Sequence, residues 1–424
     1  MARRGFFAEI TYQAQQAEKQ RRQQAAGAYR AQAAAEREAE RAYKAAERAQ
    51  AAAGRASAAE QKAAQKHAAD LHVQSRTAEV ASMNADLANT YGEIDGLLAW
   101  TLEVDDYVDL QSLKVDTVTH PPFDPGELAR PVPAMAELVY PEQPVLQEPP
   151  APKGLSALGG KKRHEEAVAR AKHEHEQAYA EWHARATAMH ADYVAEQARR
   201  AQAEQDRLVK LAAAEARYQD ECAQREADAE ASNQQLTEFI NGLAFDVESA
   251  IQDYVGVVLS NSAYPDSFPV SYDHHFDLAT RELTLAVSVP DPSQIPAVKE
   301  YKYVKAKDEI TATALPAKDQ KARYAGAVWQ VAVRTLHEVF EADRAAKIRS
   351  ISLTVGTGHI SPATGLPETV PLVVVAADRE AFLAFDLANV QPQATLTHLG
   401  AALSKSPFDL TPADTSRGVR VQGR

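Results

Sequence analysis

The chain is poor in the residues that build large cores and closed sites. Its 424 residues contain a single cysteine, four methionines and only 7% aromatic residues. One cysteine, Cys222, excludes an internal disulfide and fits a reducing compartment. It shares a helical stripe with Tyr218, which suits a packed thiol better than a reactive one. No run approaches the ~20 apolar residues of a membrane span, and Met1 to Ile10 has Arg3 and Arg4 but no apolar signal-peptide core. A cytoplasmic location, with no membrane partner, is the expectation. The scarcity of aromatics against 45% apolar residues leaves alanine as the main apolar component. Alanine buries little area and suits any helix surface, so this composition signals helix more than core.

Proline is missing from two long stretches, Gln13 to Thr90 and Lys162 to Ser260. Both are rich in Ala, Glu, Gln, Arg and Lys, the composition of long helices or coiled coils. In the first the seam must be built from alanine, until Val80, Met83, Leu87, Tyr91, Ile94 and Leu98 mark out 3–4 spacing. The second ends in a similar stripe, Leu236, Ile240, Leu243, Val247, Ile251, Tyr254 and Val258. Between them, Gly92 to Val115 reads as one or two short acidic helices. Ten prolines from Pro121 to Pro152 then forbid helix or central strand and give an extended, semi-rigid connector.

After Asn261 the pattern changes. Phe276 to Thr280 and Arg281 to Val289 alternate around a turn, and Val298 to Val304 reads as a further strand. A helix opens at Pro316 with Tyr324, Val328, Val331, Thr335 and Val339 on one face. Ile348 to Val355 and Val370 to Ala376 read as strands, and Asp378 to Phe385 and Thr395 to Ser404 as short helices. The expected fold is α+β and mainly α: two very long helices forming an antiparallel coiled-coil arm, plus a small C-terminal α/β domain. Its parts are a long helix over 1–90, short helices and the proline-rich connector over 91–160, a second long helix over 161–260, the α+β domain over 261–410 and a frayed tail over 411–424. Self-association through the long helices is the expectation, since alanine seams support pairing within or between chains.

The net charge of −13 speaks against binding nucleic acid with the whole surface. It is uneven: residues 1–80 carry 14 Lys and Arg against 9 Asp and Glu, whereas residues 81–150 carry 2 against 13. A basic stretch followed by an acidic one suits a basic partner, mutual contact, or simply a solvated helix and an acidic linker.

Few patterns carry chemistry. His173 and His175 point about 200° apart on a helix, so one metal cannot use both. His183 and His190 share a face about 10 Å apart. Gly154 to Lys162 lacks the lysine directly after the second glycine and the hydroxyl that a phosphate loop needs. Neither pattern supplies a metal site or a bound cofactor. Asp291 after Pro290, with Glu300 and Lys302 nine and eleven positions later, spells the PD…(D/E)xK string of many nucleases. There, two carboxylates hold magnesium and a lysine orients water, so Mg²⁺ is a cofactor only if this trio is catalytic. On the helix from Pro316, Arg323, Arg334, His337 and Arg344 form a candidate DNA-binding strip, diluted by Glu338, Glu341 and Asp343.

Several long runs, VKEYKYVKAKDEI, RYAGAVWQVAVRTLHEVFEAD and HISPATGLPETVPLVVVAADREAFLAFDL, resemble the segment preceding the nuclease domain in Mrr-like restriction system proteins. GLLAWTLEVDDYVDL and the opening RRGFFAEI are similar to the same group, whose members carry the label restriction endonuclease. The resemblance implies that cleavage belongs to a separate C-terminal domain with its own Asp and Gln-x-Lys, which would begin about where this chain ends at Arg424. No catalytic residue carries over. What it implies is a non-catalytic component of a DNA restriction or phage-defence system, contacting DNA or a nuclease subunit. A cytoskeletal or scaffold coiled coil and a metal-dependent endonuclease remain as alternatives.

Overall fold

In a computed structural model, residues 27–53, 60–150 and 160–414 are described. The chain forms two compact units, one of residues 1–114 with 232–424 and one of residues 115–231. Most of the rejected phosphate-loop stretch (residues 154–159) and residues 415–424 lie outside the described residues.

In the first unit, the described part of the proline-free N-terminal stretch is two helices, α1 (Gly27–Ala53) and α2 (Gln61–Asp95), packed against each other. This corrects the expectation of one continuous helix over 1–90. The seven residues between them span at most about 25 Å, too little to return along α1's ~40 Å, so the helices run antiparallel. Their seam is made of small side chains. Ala35, Ala39, Ala42, Ala46, Ala49 and Ala53 are half-buried along α1 in a 3–4 rhythm, and Ala64, Ala68, Leu71, Ser75, Ala78 and Ser82 are half-buried or buried along α2 in the same rhythm. With so little bulk on either side, the backbones can approach closely.

The other side of α2 serves the C-terminal domain. A two-stranded sheet, β3 (Val298–Val304) with β4 (Glu309–Ala314), lies against it. Asn84 closes the outer edge of β3 like a neighbouring strand. Its Oδ1 accepts from Tyr301 N at 2.8 Å and its Nδ2 donates to Tyr301 O at 3.0 Å. Tyr91 Oη lies 2.6 Å from Val298 O and 2.9 Å from Pro296 O. A strand edge that would otherwise present free main-chain groups is thus occupied by side chains.

A five-stranded sheet forms the domain's core, in the order β1 (Ser271–Asp277), β2 (Glu282–Val289), β5 (Ser350–Ile360), β6 (Pro367–Asp378), β7 (Ala402–Leu403). Only β2 and β5 are parallel. A parallel pair needs a crossover, and α6 (Ala317–Ala342) supplies it. From Ala327 to Leu336 nearly every α6 residue is buried, as expected of a helix with partners on all sides. It packs on β5 and β6, and also on α2, α3 (Leu97–Thr101) and α5 (Glu248–Asn261). Gln330 spans the break between α2 and α3, accepting from Leu98 N and donating to Ile94 O. Of the acidic stretch 92–115, only α3 is helical beyond the end of α2.

The second long helix is interrupted. α4 (Lys161–Ala244) ends where Asp246 takes a φ of 54°, and Val247 N bonds to Gly242 O while Asp246 N bonds to Leu243 O. This pair of bonds is a Schellman ending, which turns the chain sharply. Gly242 is required there, because a Cβ would lie 2.8 Å from the Cβ of Ala250. The stripe expected to continue through Val258 therefore folds back at the turn: Leu236 and Phe239 of α4 pack with Ala250 and Val257 of α5 and with Leu110. Residues 411–414, expected to belong to a frayed tail, are placed against the domain. Ala413 is buried against Val374 and Ala402, and its N–H bonds to Pro371 O.

In the second unit the proline-rich segment runs alongside α4 in the opposite direction. His120 meets Glu226, Tyr218 Oη donates to Pro121 O, Arg207 donates to Leu128 O, and Arg200 donates to Pro133 O. Further along, Tyr140 meets His190 and Trp182 Nε1 donates to Pro141 O. The 21 steps from His120 to Pro141 span the 44 helical steps from Glu226 back to Trp182. Apart from a 3-10 turn at Gly126–Ala129 the segment is extended; at about 3.1 Å per residue for polyproline II, ~2 Å in the turn and 1.5 Å for helix, the two come to roughly 60 and 65 Å. The match is the reason for proline here: an extended chain stays in step with the helix, gives up few N–H groups, and offers its carbonyls to helix side chains.

Replacing Asn84 with alanine strands the N–H and C=O of Tyr301, and unfolding should become easier by about 1–3 kcal/mol. Denaturant midpoints and faster amide exchange at Tyr301 check this; an unchanged Tyr301 amide would remove Asn84 from the account.

Candidate functional site

Four polar side chains occupy one face of α6 at positions i, i+3, i+4 and i+7: Arg334, His337, Glu338 and Glu341. At this spacing they are neighbours on the helix surface. Two are buried deep in the domain, Arg334 with 3% and Glu338 with 1% of the side chain exposed, joined by a 2.6 Å bond from Nε to Oε1. Arg334 also donates from Nη1 to Leu97 O and from Nη2 to Ala263 O, and its guanidinium carbon lies over the ring of Tyr264, 4.2 Å from the centroid. One guanidinium thus ties α6 to α3 and to the segment after α5. Its planar fork makes this possible, where a lysine ammonium could not.

Glu338 is less well served. Oε1 accepts from Arg334 and from Thr101 Oγ1 at 3.0 Å, while Oε2 is buried without a hydrogen-bond donor. Next to it lies Asp106, brought in by the irregular chain that follows α3. Its Oδ2 is 3.5 Å from Thr101 Oγ1, and its backbone N–H donates to Glu341 Oε2 at 3.2 Å. His337 Nε2 stands 3.8 Å from the same Glu341 oxygen. Ligand atoms of Asp106, His337 and Glu341 all lie within 4.8 Å of one another, the only such group of three or more among the described residues. These three could hold a metal.

Burial, reinforced by the charges of Glu338 and Glu341, pushes the Asp106 carboxyl up to about 9. Burial likewise lowers the His337 imidazole, against the pull of Glu341 and Glu338. At neutral pH without a bound cation, Asp106 is therefore protonated and His337 neutral.

The neighbouring residues of this segment are fully engaged. Asp105 accepts from Arg344 Nη2 with both oxygens, at 2.7 and 2.6 Å, and Arg344 stacks on Tyr107 at 4.1 Å. Val108 N donates to Tyr254 Oη. An apolar cleft of about 250 Å³ lies on this side, lined by Leu110, Ile240, Leu243, Tyr254 and Val339 among others.

The residues singled out in the sequence have other occupations. Arg323 pairs with Asp95 at 2.8 Å and lies 3.8 Å from the ring of Tyr91. Arg334 and Arg344 are held as described, and His337 sits among carboxylates, so the four form no positive strip. Asp291 Oδ1 accepts from the N–H and Oγ of Ser293, capping a 3-10 turn at Pro292–Gln294. Glu300 and Lys302, on the same face of β3, neutralise each other at 2.6 Å. Both ends of that pair are exposed. On α4, His173 bonds to Gln177, His175 and His183 lie against Tyr179, and His190 bonds to Tyr140.

Sequence reasoning took Glu338 and Glu341 for diluents of a basic strip, and Asp106 for one of many linker acids. The i,i+4 pairs Arg334–Glu338 and His337–Glu341 were a legible signal; Asp106 had none, because its place depends on how the chain after α3 docks. The chain matches no family model, no curated protein and no solved structure.

Converting Glu338 to glutamine leaves Arg334 buried without a counter-charge and should cost about 3–5 kcal/mol in a denaturant titration. The pH dependence has a definite sign. A carboxyl raised from 3.8 to about 9 stabilises the native state below pH 3.8, and that contribution is lost as pH rises towards 9. With a chelator present, Asp106→Asn should leave the thermal midpoint little changed at pH 4.5 and raise it at pH 9. Equal shifts at both would contradict the buried-acid account.

Proposed function

We propose that this chain is a non-catalytic component of a DNA restriction or phage-defence system that works by binding protein. The observation that carries this reading is the commitment of every candidate DNA-contacting or cutting group to a partner inside the chain. Arg323, Arg334 and Arg344 face Asp95, Glu338 and Asp105, and Lys302 faces Glu300. With a net charge of −13 besides, phosphate contacts have little cationic surface to draw on. The resemblance to the segments that precede Mrr nuclease domains supplies the biological setting, and favours a nuclease subunit as the partner. Exposed apolar side chains on α4, among them Val194, Leu208 and Val209, offer contact area to such a protein.

A scaffold role without any link to DNA is the second reading, favoured by the proline-rich segment that braces α4. Such bracing stiffens a long helix whose own sequence has few apolar contacts.

Tagged protein recovered from its source cells should bring down a nuclease subunit, and its deletion should raise the efficiency of phage plating. Recovery of neither nuclease nor nucleic acid, with plating unchanged, would leave the scaffold reading in its place. In vitro, plasmid DNA with Mg²⁺ should stay uncut and unshifted at about 0.15 M salt, with Lys302→Ala indistinguishable from the parent. Cleavage lost in that variant would establish Asp291, Glu300 and Lys302 as a nuclease site and refute this reading.

A further inference from the structure

We propose that Asp106, His337 and Glu341 form a binding site for one divalent transition-metal ion, with Glu338 behind them, which clasps the chain after α3 to the C-terminal half of α6. The proposal is independent of the protein-binding reading above.

Geometry comes first. The three residues each offer a ligand atom within 4.8 Å of the others. Donor atoms around one ion at ~2.1 Å stand about 3.4 Å apart, so the side chains need close in by only about an ångström. All three are half-buried, leaving the site open on one side to an entering ion and to water. His337 and Glu341, one turn apart on a rigid helix, are a preformed pair of ligands; Asp106 arrives from the opposing chain.

The second observation is the state of Glu338. A carboxylate with 1% of its side chain exposed and an oxygen lacking any donor is costly. Its charge acts on both Asp106 and His337. Of the groups at the site, Glu338 and Glu341 carry negative charge and Asp106 holds a proton that a cation would displace; Arg334 is spent on Glu338 Oε1, Ser262 Oγ and two carbonyls, and Arg344, which acts on Glu341, is paired with Asp105. A cation would balance this excess and give the unserved side of Glu338 a favourable field. One imidazole with two or three carboxylates suits Zn²⁺ or Mn²⁺ better than the purely oxygen-liganded Ca²⁺ or Mg²⁺.

The test uses the full chain, stripped with chelator and then dialysed. Titration with Zn²⁺ and with Mn²⁺ should show uptake of one ion per chain with Kd below about 10 µM, and a thermal midpoint that rises with metal. The conservative variants Asp106→Asn and His337→Gln should each weaken uptake at least tenfold while far-UV circular dichroism matches the parent. A His173→Ala/His175→Ala variant on α4 should bind as the parent does. No uptake by the parent overturns the proposal, as does uptake unchanged in both Asp106→Asn and His337→Gln. If a ligand variant fails to fold, Glu341→Gln with the same titration takes its place.

Discussion

The domain is organised around a charge taken out of water. Arg334 and Glu338 meet one turn apart on a helix that is otherwise wrapped in apolar groups. Neither could be there alone, since a lone buried ion costs several kcal/mol, and the pair is tolerable only with its remaining hydrogen bonds made. Those bonds recruit Leu97 O, Ala263 O and Thr101 Oγ1. They therefore dictate where α3, the chain after α5 and the segment reaching Asp106 must lie. The acidic cluster is the by-product of this arrangement: satisfying the arginine leaves one oxygen of Glu338 unserved beside two further carboxylates.

Proline has a comparable organising role in the second unit, through what it lacks. A chain with few N–H groups cannot join a sheet, but its carbonyls still accept. Arg200, Arg207, Tyr218 and Trp182 of α4 donate to them at intervals along the helix. Because polyproline II rises about twice as steeply per residue as an α-helix, a modest length of connector accompanies a long stretch of helix. Arginine and aromatic side chains on a helix that composition presents as uniformly solvated are thereby given a use.

The PD…ExK string shows how the same residue types serve different ends. A nuclease needs its lysine and carboxylates to converge on a metal from a common sheet. Here Asp291 belongs to a turn ahead of β3, and it is held by Ser293 two residues away. Glu300 and Lys302 share a strand face, as period-two alternation requires, and that proximity lets them pair with each other instead.

What the sequence determined by itself is what depends on local periodicity and on residues with unusual backbones. The described parts of the proline-free stretches are mostly helix, and the proline-dense one is extended apart from a 3-10 turn. The strands at Glu282–Val289 and Val298–Val304 and the buried face of α6 follow from alternation and 3–4 spacing. Tertiary structure decided where helices end and whom they meet. The break at Asp246 follows from packing of Gly242 against Ala250, and β4, almost wholly exposed, exists through its pairing with β3. It also decided the charges. Whether Arg334 faces DNA or Glu338, and whether Asp106 is a solvated linker acid or a proton-holding neighbour of His337, turns on long-range docking. Coulomb and desolvation energies depend on distance and burial, which no spacing along the chain encodes.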